Sequence, residues 1–198
     1  MKTSNLISVA TLLGVLSACG GGGGGGSPIP PPPPPPVTAT TLVYTPPSGG
    51  SYQMVRNAGS TPTHLILDLV GPAGTSGRGI GFYLNADTGR ITWSKVSGSD
   101  AELVQNGAFN LGSGVLALKA KVNGNELQAG VYQKGTSAPA IAFGSTVVLA
   151  RVAMDLKSGL TPGAVSFSAV PNKAMLLPDV GAATPGNISV SVGSLTAQ

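Results

Sequence analysis

From Val37 to the C-terminus the sequence consists of short apolar segments separated by turn residues, and no other feature limits the fold as much. Val, Thr, Leu and Ser dominate the segments, while Gly, Pro, Asn and Asp recur between them about every 8 to 15 residues. Short β-type segments with frequent turns are typical of sandwiches and barrels. We therefore predict an all-β domain, a two-sheet antiparallel sandwich with at most one short helix.

The predicted strands are short and share Val, Ile, Thr or aromatic residues between turn residues. They are Thr40 to Tyr44, Tyr52 to Arg56, His64 to Val70, Gly79 to Asn85, Arg90 to Val96, Val115 to Val122, Glu126 to Gln133, Thr146 to Leu156, Ala164 to Val170 and Ile188 to Val192.

Two hairpins can be written residue by residue. With Ala86 to Gly89 as a loop, Asn85 pairs with Arg90 and Phe82 with Trp93. Alternation then directs one set of side chains to the core, namely Phe82, Leu84, Ile91 and Trp93. The opposite set faces outward and comprises Tyr83, Asn85, Arg90 and Thr92.

The second hairpin turns at Asn123-Gly124, a pair favoured in type I′ turns. This register places Lys121 opposite Glu126 and Lys119 opposite Gln128 on the outer face. Leu118, Ala120, Val122 and Leu127 then point inward. One helix is predicted: Ser99 to Glu102 matches a capping box and would begin a helix of one or two turns.

The N-terminus has the three parts of a secretory signal: Lys2, an apolar stretch from Leu6 to Leu16, and small residues before Cys19, the one cysteine of the chain. The apolar stretch is far shorter than the roughly 20 residues that span a bilayer. Leu16-Ser17-Ala18-Cys19 resembles the lipobox of bacterial lipoproteins. The resemblance implies a lipid on Cys19, cleavage before it, and membrane anchoring. Gly20 after the cysteine, in place of Asp, implies the outer membrane.

A low-complexity segment follows the cysteine. Gly20 to Gly26 is all glycine and Pro30 to Pro36 is all proline. Glycine runs form flexible coil and proline runs form stiffer polyproline II, so the segment is predicted to be a disordered tether. The expected domains are 1–18 (signal peptide), 19–36 (lipidated cysteine and tether) and 37–198 (β-sandwich).

Four short apolar stretches of the domain carry a family resemblance: Leu65 to Val70, Gly79 to Leu84, Val148 to Met154 and Ile188 to Leu195. They resemble strands of cohesin-like sandwiches, which share their topology with carbohydrate-binding modules. The resemblance implies a sandwich of the cohesin-like or jelly-roll type. No stretch matches a dockerin-contacting motif.

Charge and chemistry exclude several functions. The chain has 11 Lys and Arg against 7 Asp and Glu, scattered singly, whereas nucleic-acid binding requires clustered cations. With one His and one Cys, a His/Cys metal cluster cannot form. His64 begins an apolar strand and is interpreted as structural. No dense Asp/Asn loop indicates calcium, and no cofactor is expected.

The carboxylates have no spacing that selects a glycosidase pair. They are Asp68, Asp87, Asp100, Glu102, Glu126, Asp155 and Asp179. The sequence thus predicts a non-enzymatic binding or scaffolding module at the cell envelope, its partner another envelope protein or a polysaccharide. A carbohydrate-binding module and, third, a small hydrolase remain open. The candidate binding surface comprises Tyr83, Asn85, Arg90, Thr92 and Tyr132.

Overall fold

The computed structural model describes residues 30–111, 117–133, 140–178 and 185–198. The chain divides into two units, residues 1–35 and 36–198, and the fold described below is that of the second. Cys19 and the signal segment lie outside the described residues. The described residues include no helix that is long and apolar enough to cross a bilayer.

Secondary structure in the described residues is entirely β, as predicted. The strands are β1 (Leu42–Thr45), β2 (Tyr52–Arg56), β3 (His64–Val70), β4 (Ser76–Gly77), β5 (Gly79–Ala86), β6 (Ile91–Ser94), β7 (Val104–Asn106), β8 (Leu118–Asn123), β9 (Glu126–Tyr132), β10 (Ile141–Ala142), β11 (Val148–Leu156), β12 (Gly163–Val165), β13 (Phe167–Ala169), β14 (Ala174–Leu177), β15 (Gly186–Ile188), β16 (Val190–Ser191) and β17 (Ser194–Ala197).

Two six-stranded sheets form the sandwich. The first sheet has the order β16-β2-β3-β11-β6, and β7 also pairs with β11. The second sheet has the order β15-β14-β5-β9-β8, and β13 also pairs with β5. A three-stranded sheet (β1-β17-β12) and the pair β4 and β10 complete the fold. The pairing of β16 with β2 is parallel and the other pairings are antiparallel.

The core lies between the two sheets and draws on both of them. Its largest fully buried side chains include Leu65, Leu67 and Leu69 of β3 and Phe82 and Leu84 of β5. Burial of such side chains contributes about 1.5 to 3 kcal/mol each. Because no disulfide can form within a chain that has one cysteine, this apolar packing is the main source of stability.

The outer faces of the two sheets differ in their exposure. In β3 every residue after His64 is buried, so the outer face of the first sheet is covered around this strand. In β9 buried residues alternate with half-buried or exposed ones along the strand. Clean alternation is typical of a sheet with one solvated face, so the open face of the sandwich belongs to the second sheet.

The predicted hairpin from Phe82 to Trp93 is wrong. Phe82 lies opposite Ala129 of β9, and Trp93 lies opposite Met154 of β11, so the two strands belong to different sheets. Their connection crosses the sandwich, and the Asp87 N–H donates to the carbonyl of Ser166 over 2.9 Å. The core prediction is nevertheless confirmed, because alternation depends on the strand and not on its partner. The buried side chains are Phe82, Leu84, Ile91 and Trp93.

The second predicted hairpin exists with a different register. Its turn is Gly124-Asn125, with Asn123 opposite Glu126 and Lys121 opposite Gln128. Gly124 has a φ of 59°, and a positive φ at the first central position alone is the signature of a type II′ turn. The shift by two residues changes the partners and leaves every side chain on its predicted face.

The predicted helix at Ser99 is wrong, because its capping residues have other partners. The Asp100 carboxylate accepts a hydrogen bond from the backbone N–H of Ser97 over 2.7 Å. Glu102 accepts one from the backbone N–H of Ala120 in β8 over 3.2 Å. The following residues form β7, in which Val104 lies opposite Val152.

The predicted strands Tyr52 to Arg56 and His64 to Val70 have the predicted bounds. The predicted strand Ile188 to Val192 is interrupted at Ser189, since β15 joins the second sheet and β16 the first. The predicted strand from Val115 begins in residues 112–116, which lie outside the described part of the chain.

Candidate binding surface

Three of the five predicted surface residues lie on the outer face of the second sheet. Tyr83 and Asn85 belong to β5 and Tyr132 belongs to β9. Their neighbours in sequence, such as Phe82 and Val131, are fully buried in the core. Tyr132 is 39% exposed. This outer face, formed by β8, β9, β5, β14 and β15, is called the open face below.

Arg90 and Thr92 do not belong to the open face. Thr92 lies on β6 of the first sheet, opposite Asp155. Arg90 lies in the connection between the sheets, and its Nη2 donates to the carbonyl oxygen of Thr161 over 2.6 Å. Their grouping with Tyr83 depended on the hairpin that the structure does not contain.

A polar cavity of about 310 Å³ occupies one half of the open face. Tyr83 of β5 lies opposite Gln128 of β9, and Gln128 lies opposite Lys121 of β8. Lys119 lies two residues before Lys121 on β8, on the same face, and is also exposed. These side chains line the cavity together with Gly130. An aromatic ring, an amide and two ammonium groups therefore share one shallow depression.

An apolar cavity of about 220 Å³ occupies the other half. Its walls are Tyr132 of β9, Met175 and Leu177 of β14, and Pro185. Met175 is 47% exposed. Since a side chain of this size gains by leaving water, its position suits contact with an apolar group of a partner.

Glycines form the floor where the two cavities meet. Gly81 lies opposite Gly130, and Gly130 lines both cavities. A Cβ atom on Gly130 would have no atom within 4 Å, and one on Gly81 would meet only the Ala129 carbonyl oxygen at 3.7 Å. Packing and backbone conformation therefore do not require glycine at these positions. The consequence of glycine here is a continuous, open depression.

Sequence reasoning had placed Lys119 and Lys121 outward but had not joined them to Tyr83. It missed Met175 and Leu177 because β14 was not predicted. A signal was available in the short apolar run from Ala174 to Leu177 directly after a turn. Asn172 in that turn has a φ of 58°, a conformation that asparagine tolerates better than most residues.

The described carboxylates all have structural partners. Asp68 contacts Arg151 Nε at 3.0 Å and Asn57 Nδ2 at 2.8 Å. Asp155 lies 2.5 Å from Nδ1 of His64, whose Nε2 lies 3.4 Å from the carbonyl oxygen of Val96. The remaining ones accept hydrogen bonds from nearby residues: Asp87 from Gly89, Asp100 from Ser97, Glu102 from Ala120 and Glu126 from Gln128.

Neither cavity of the open face has a carboxylate in its lining, so no acid/base pair faces either of them. Within the described part of the chain, no group of three or more His, Cys, Asp or Glu residues could hold a metal ion. Asp179 lies outside the described residues.

No protein-family model matches the chain, and no curated protein sequence matches it significantly. Among solved structures, the chain is similar to the sixth cohesin of scaffoldin B from Acetivibrio cellulolyticus, which was crystallised in complex with a mutant Cel5 dockerin. The sequence identity is 14% and the TM-score 0.46, over 73% of this chain and 96% of the cohesin.

Proposed function

We propose that this chain is a non-enzymatic binding module, anchored in the bacterial outer membrane through a lipid on Cys19, and that its open face binds another envelope protein. The observation that carries the proposal is the pair of adjoining cavities, one polar and one apolar, that meet at Gly130.

A protein partner is favoured by the mixed chemistry of the face. Met175, Leu177 and Pro185 offer aliphatic surface, which a sugar ring contacts less favourably than an aromatic plane. Lys119 and Lys121 lie beside this surface and can pair with carboxylates. Protein interfaces commonly combine an apolar centre with a charged rim.

The most direct test of binding at the open face fills the space at Gly130, where the two cavities meet. Gly130→Thr places a side chain where no atom lies within 4 Å, so the fold should be retained while the depression is closed. Gly98→Thr is the matched control, since a Cβ there also has no atom within 4 Å and Gly98 lines neither cavity. A photo-crosslinking amino acid at Met175, in the intact lipoprotein in its own cells, reports the partner.

We expect one specific crosslinked protein, retained with Gly98→Thr and lost with Gly130→Thr. Crosslinking that is equal in both variants would contradict the open face as the binding site.

A polysaccharide is the second candidate, since the open face carries two tyrosines. Tyr83 and Tyr132 lie on adjacent strands and four residues apart along them, or about 13 Å. Aromatic rings at such a separation can stack on separate sugar units. Retardation in a gel containing the cell's own polysaccharide, abolished by Tyr132→Ala, would favour this candidate over a protein partner.

Anchoring has a separate test. Cys19→Ala removes the thiol that the lipid would modify. Two or more acyl chains give stable anchoring where a single chain is marginal. We expect the variant to leave the membrane fraction, and the parent protein to sediment with the outer membrane on a density gradient. A variant that still fractionates with membranes would contradict the anchor and would leave the open-face proposal unaffected.

A further inference from the structure

Strand β8 is an edge of the second sheet. Among the described strands it pairs with β9 alone. An unpaired strand edge presents backbone donors and acceptors to another chain, and proteins usually block such edges. The side of β8 that faces away from β9 therefore carries backbone groups that no described strand pairs with.

The hydrogen-bond pattern identifies the free backbone groups of β8. The Tyr132 N–H donates to the carbonyl oxygen of Ala117 over 3.0 Å. Because antiparallel ladders alternate, Lys119 and Lys121 also direct their backbone groups toward β9. Ala120 and Val122 direct theirs to the free edge.

One of these free groups already binds a carboxylate. The Ala120 N–H donates to Oε2 of Glu102 over 3.2 Å, and Oε1 of the same carboxylate lies 3.4 Å from Lys119 Nζ. Glu102 belongs to the loop between β6 and β7, so an acidic side chain takes the place of a strand at the start of this edge. Val122, further along, has no such cover and is 38% exposed.

Beside Val122 the two sheets leave a cleft of about 350 Å³. Ile91 and Trp93 of β6 line its apolar part, and Lys157 contributes the charge. Val122 is on the inward side of β8 by alternation, yet none of the described strands covers it. The cleft has room for an apolar side chain that enters from the free edge.

The charges of β8 indicate what kind of strand can pair with it. Lys119 and Lys121 are exposed, and their neighbours on β9 are Gly130 and Gln128, which carry no charge. A second copy pairing through its own β8 would bring lysines opposite lysines, which is unfavourable. A strand with carboxylates would instead be attracted.

We propose that the free edge of β8 accepts an extended acidic segment of a partner protein as an added strand. Backbone hydrogen bonds to Ala120 and Val122 hold the segment, as in β-augmentation. Its carboxylates face Lys119 and Lys121, and one apolar side chain enters the cleft against Trp93. When the segment is absent, the Glu102 carboxylate accepts the hydrogen bond from the Ala120 N–H. This inference does not depend on binding at the open face.

The test uses Trp93, the one tryptophan of the chain, as its reporter. The full chain is titrated with a synthetic hexapeptide of alternating Asp and Val, and with an alternating Lys and Val hexapeptide as the control. We expect a saturable change in tryptophan fluorescence when the acidic peptide is added to the chain, and no such change with the Lys and Val peptide. Glu102→Ala should strengthen the binding about threefold or more, because it frees the Ala120 N–H.

Val122→Pro removes an N–H that faces the free edge, a position where proline is tolerated. Val122→Thr is the matched control, since it keeps both the N–H and the branched shape. We expect about tenfold weaker binding with proline and little change with threonine. If the proline variant does not fold, Val122→Asp retains the N–H and should weaken binding by repelling the acidic peptide.

Three results of the peptide titrations would overturn the proposal. They are no response to the acidic peptide at millimolar concentration, an equal response to the basic peptide, or unchanged binding by a folded Val122→Pro or Val122→Asp variant. Self-association that Val122→Pro abolishes would identify a second copy as the occupant and would also overturn it. Met175→Ala removes an apolar wall of the open face on β14, which β5 and β9 separate from β8, so it should leave peptide binding unchanged and separates the two sites.

Discussion

The hydroxyl group of Tyr44 accepts a hydrogen bond from the backbone N–H of Gly193 over 2.8 Å. The same hydroxyl donates to the carbonyl oxygen of Met54 over 2.9 Å. One side chain from β1 thereby joins the middle of β2 to the residue that precedes β17. Gly193 has no room for a side chain, since a Cβ there would lie 1.7 Å from the carbonyl oxygen of Thr45.

Tyr44→Phe should lower the free energy of unfolding by about 1 to 3 kcal/mol, because it leaves the Gly193 N–H and the Met54 carbonyl without their partner. Urea denaturation followed by circular dichroism measures the change. Tyr132→Phe, at an exposed ring, is the control and should leave the midpoint unchanged. Equal stability of both variants would show that water replaces the hydroxyl.

Alkaline pH should destabilise the domain in part through Tyr44. Burial raises the pKa of Tyr44 above 10, and the hydrogen bond from Gly193 opposes this only partly. The folded state thus holds the Tyr44 proton more tightly than the unfolded state. The stabilisation that the protonated Tyr44 hydroxyl contributes is therefore complete below pH 10 and is lost as the pH rises through the pKa of the folded state. Unfolding measured from pH 8 to 11.5 should show a smaller decline for Tyr44→Phe than for the parent. An identical decline would contradict this assignment.

Trp93→Ala should destabilise the domain by about 3 to 5 kcal/mol, since it removes a large buried side chain. Trp93 is 6% exposed, and its Nε1 donates to the carbonyl oxygen of Asn125 over 3.4 Å. Tyr83→Ala, on the open face, should change stability little. Thermal unfolding checks both variants, and a tolerated change at Trp93 with a damaging one at Tyr83 would reverse the assignment of the two faces.

Arg151 and Asp68 form an ion pair on adjacent strands, with the Asp68 side chain only 12% exposed. Arg151→Met should destabilise by about 2 kcal/mol or more, because a largely buried carboxylate loses its counter-charge. The double variant Asp68→Leu with Arg151→Met should recover part of that loss. A double-mutant cycle by urea denaturation measures the coupling, and additive single effects would show that the pair contributes nothing.

Deleting Gly20 to Pro36 should leave the melting temperature of the domain unchanged, because glycine and proline runs cannot bury apolar surface. Differential scanning calorimetry of the two forms checks this. A fall of several degrees would mean that the proline run packs on the sandwich.

Part of the candidate binding surface was predictable from the sequence. Alternation alone placed Tyr83, Lys119 and Lys121 outward, and the structure agrees for all three. The cavities were not predictable, because each joins residues of several strands whose order in the sheet no local pattern records. Met175 is an example: it lies beside Gly81 in the sheet and more than ninety positions away in the chain.

By itself the sequence determined where strands form and which of their side chains face the core. His64 to Val70 and the buried set of Phe82 and Trp93 followed from local composition and the two-residue period of a strand. Only the tertiary structure decided which strands are neighbours. Backbone hydrogen bonds form equally well with any strand, so the choice of β9 for Phe82 and of β11 for Trp93 depended on how the whole core packs. The same packing placed Gly81 opposite Gly130 and left the free edge of β8 open.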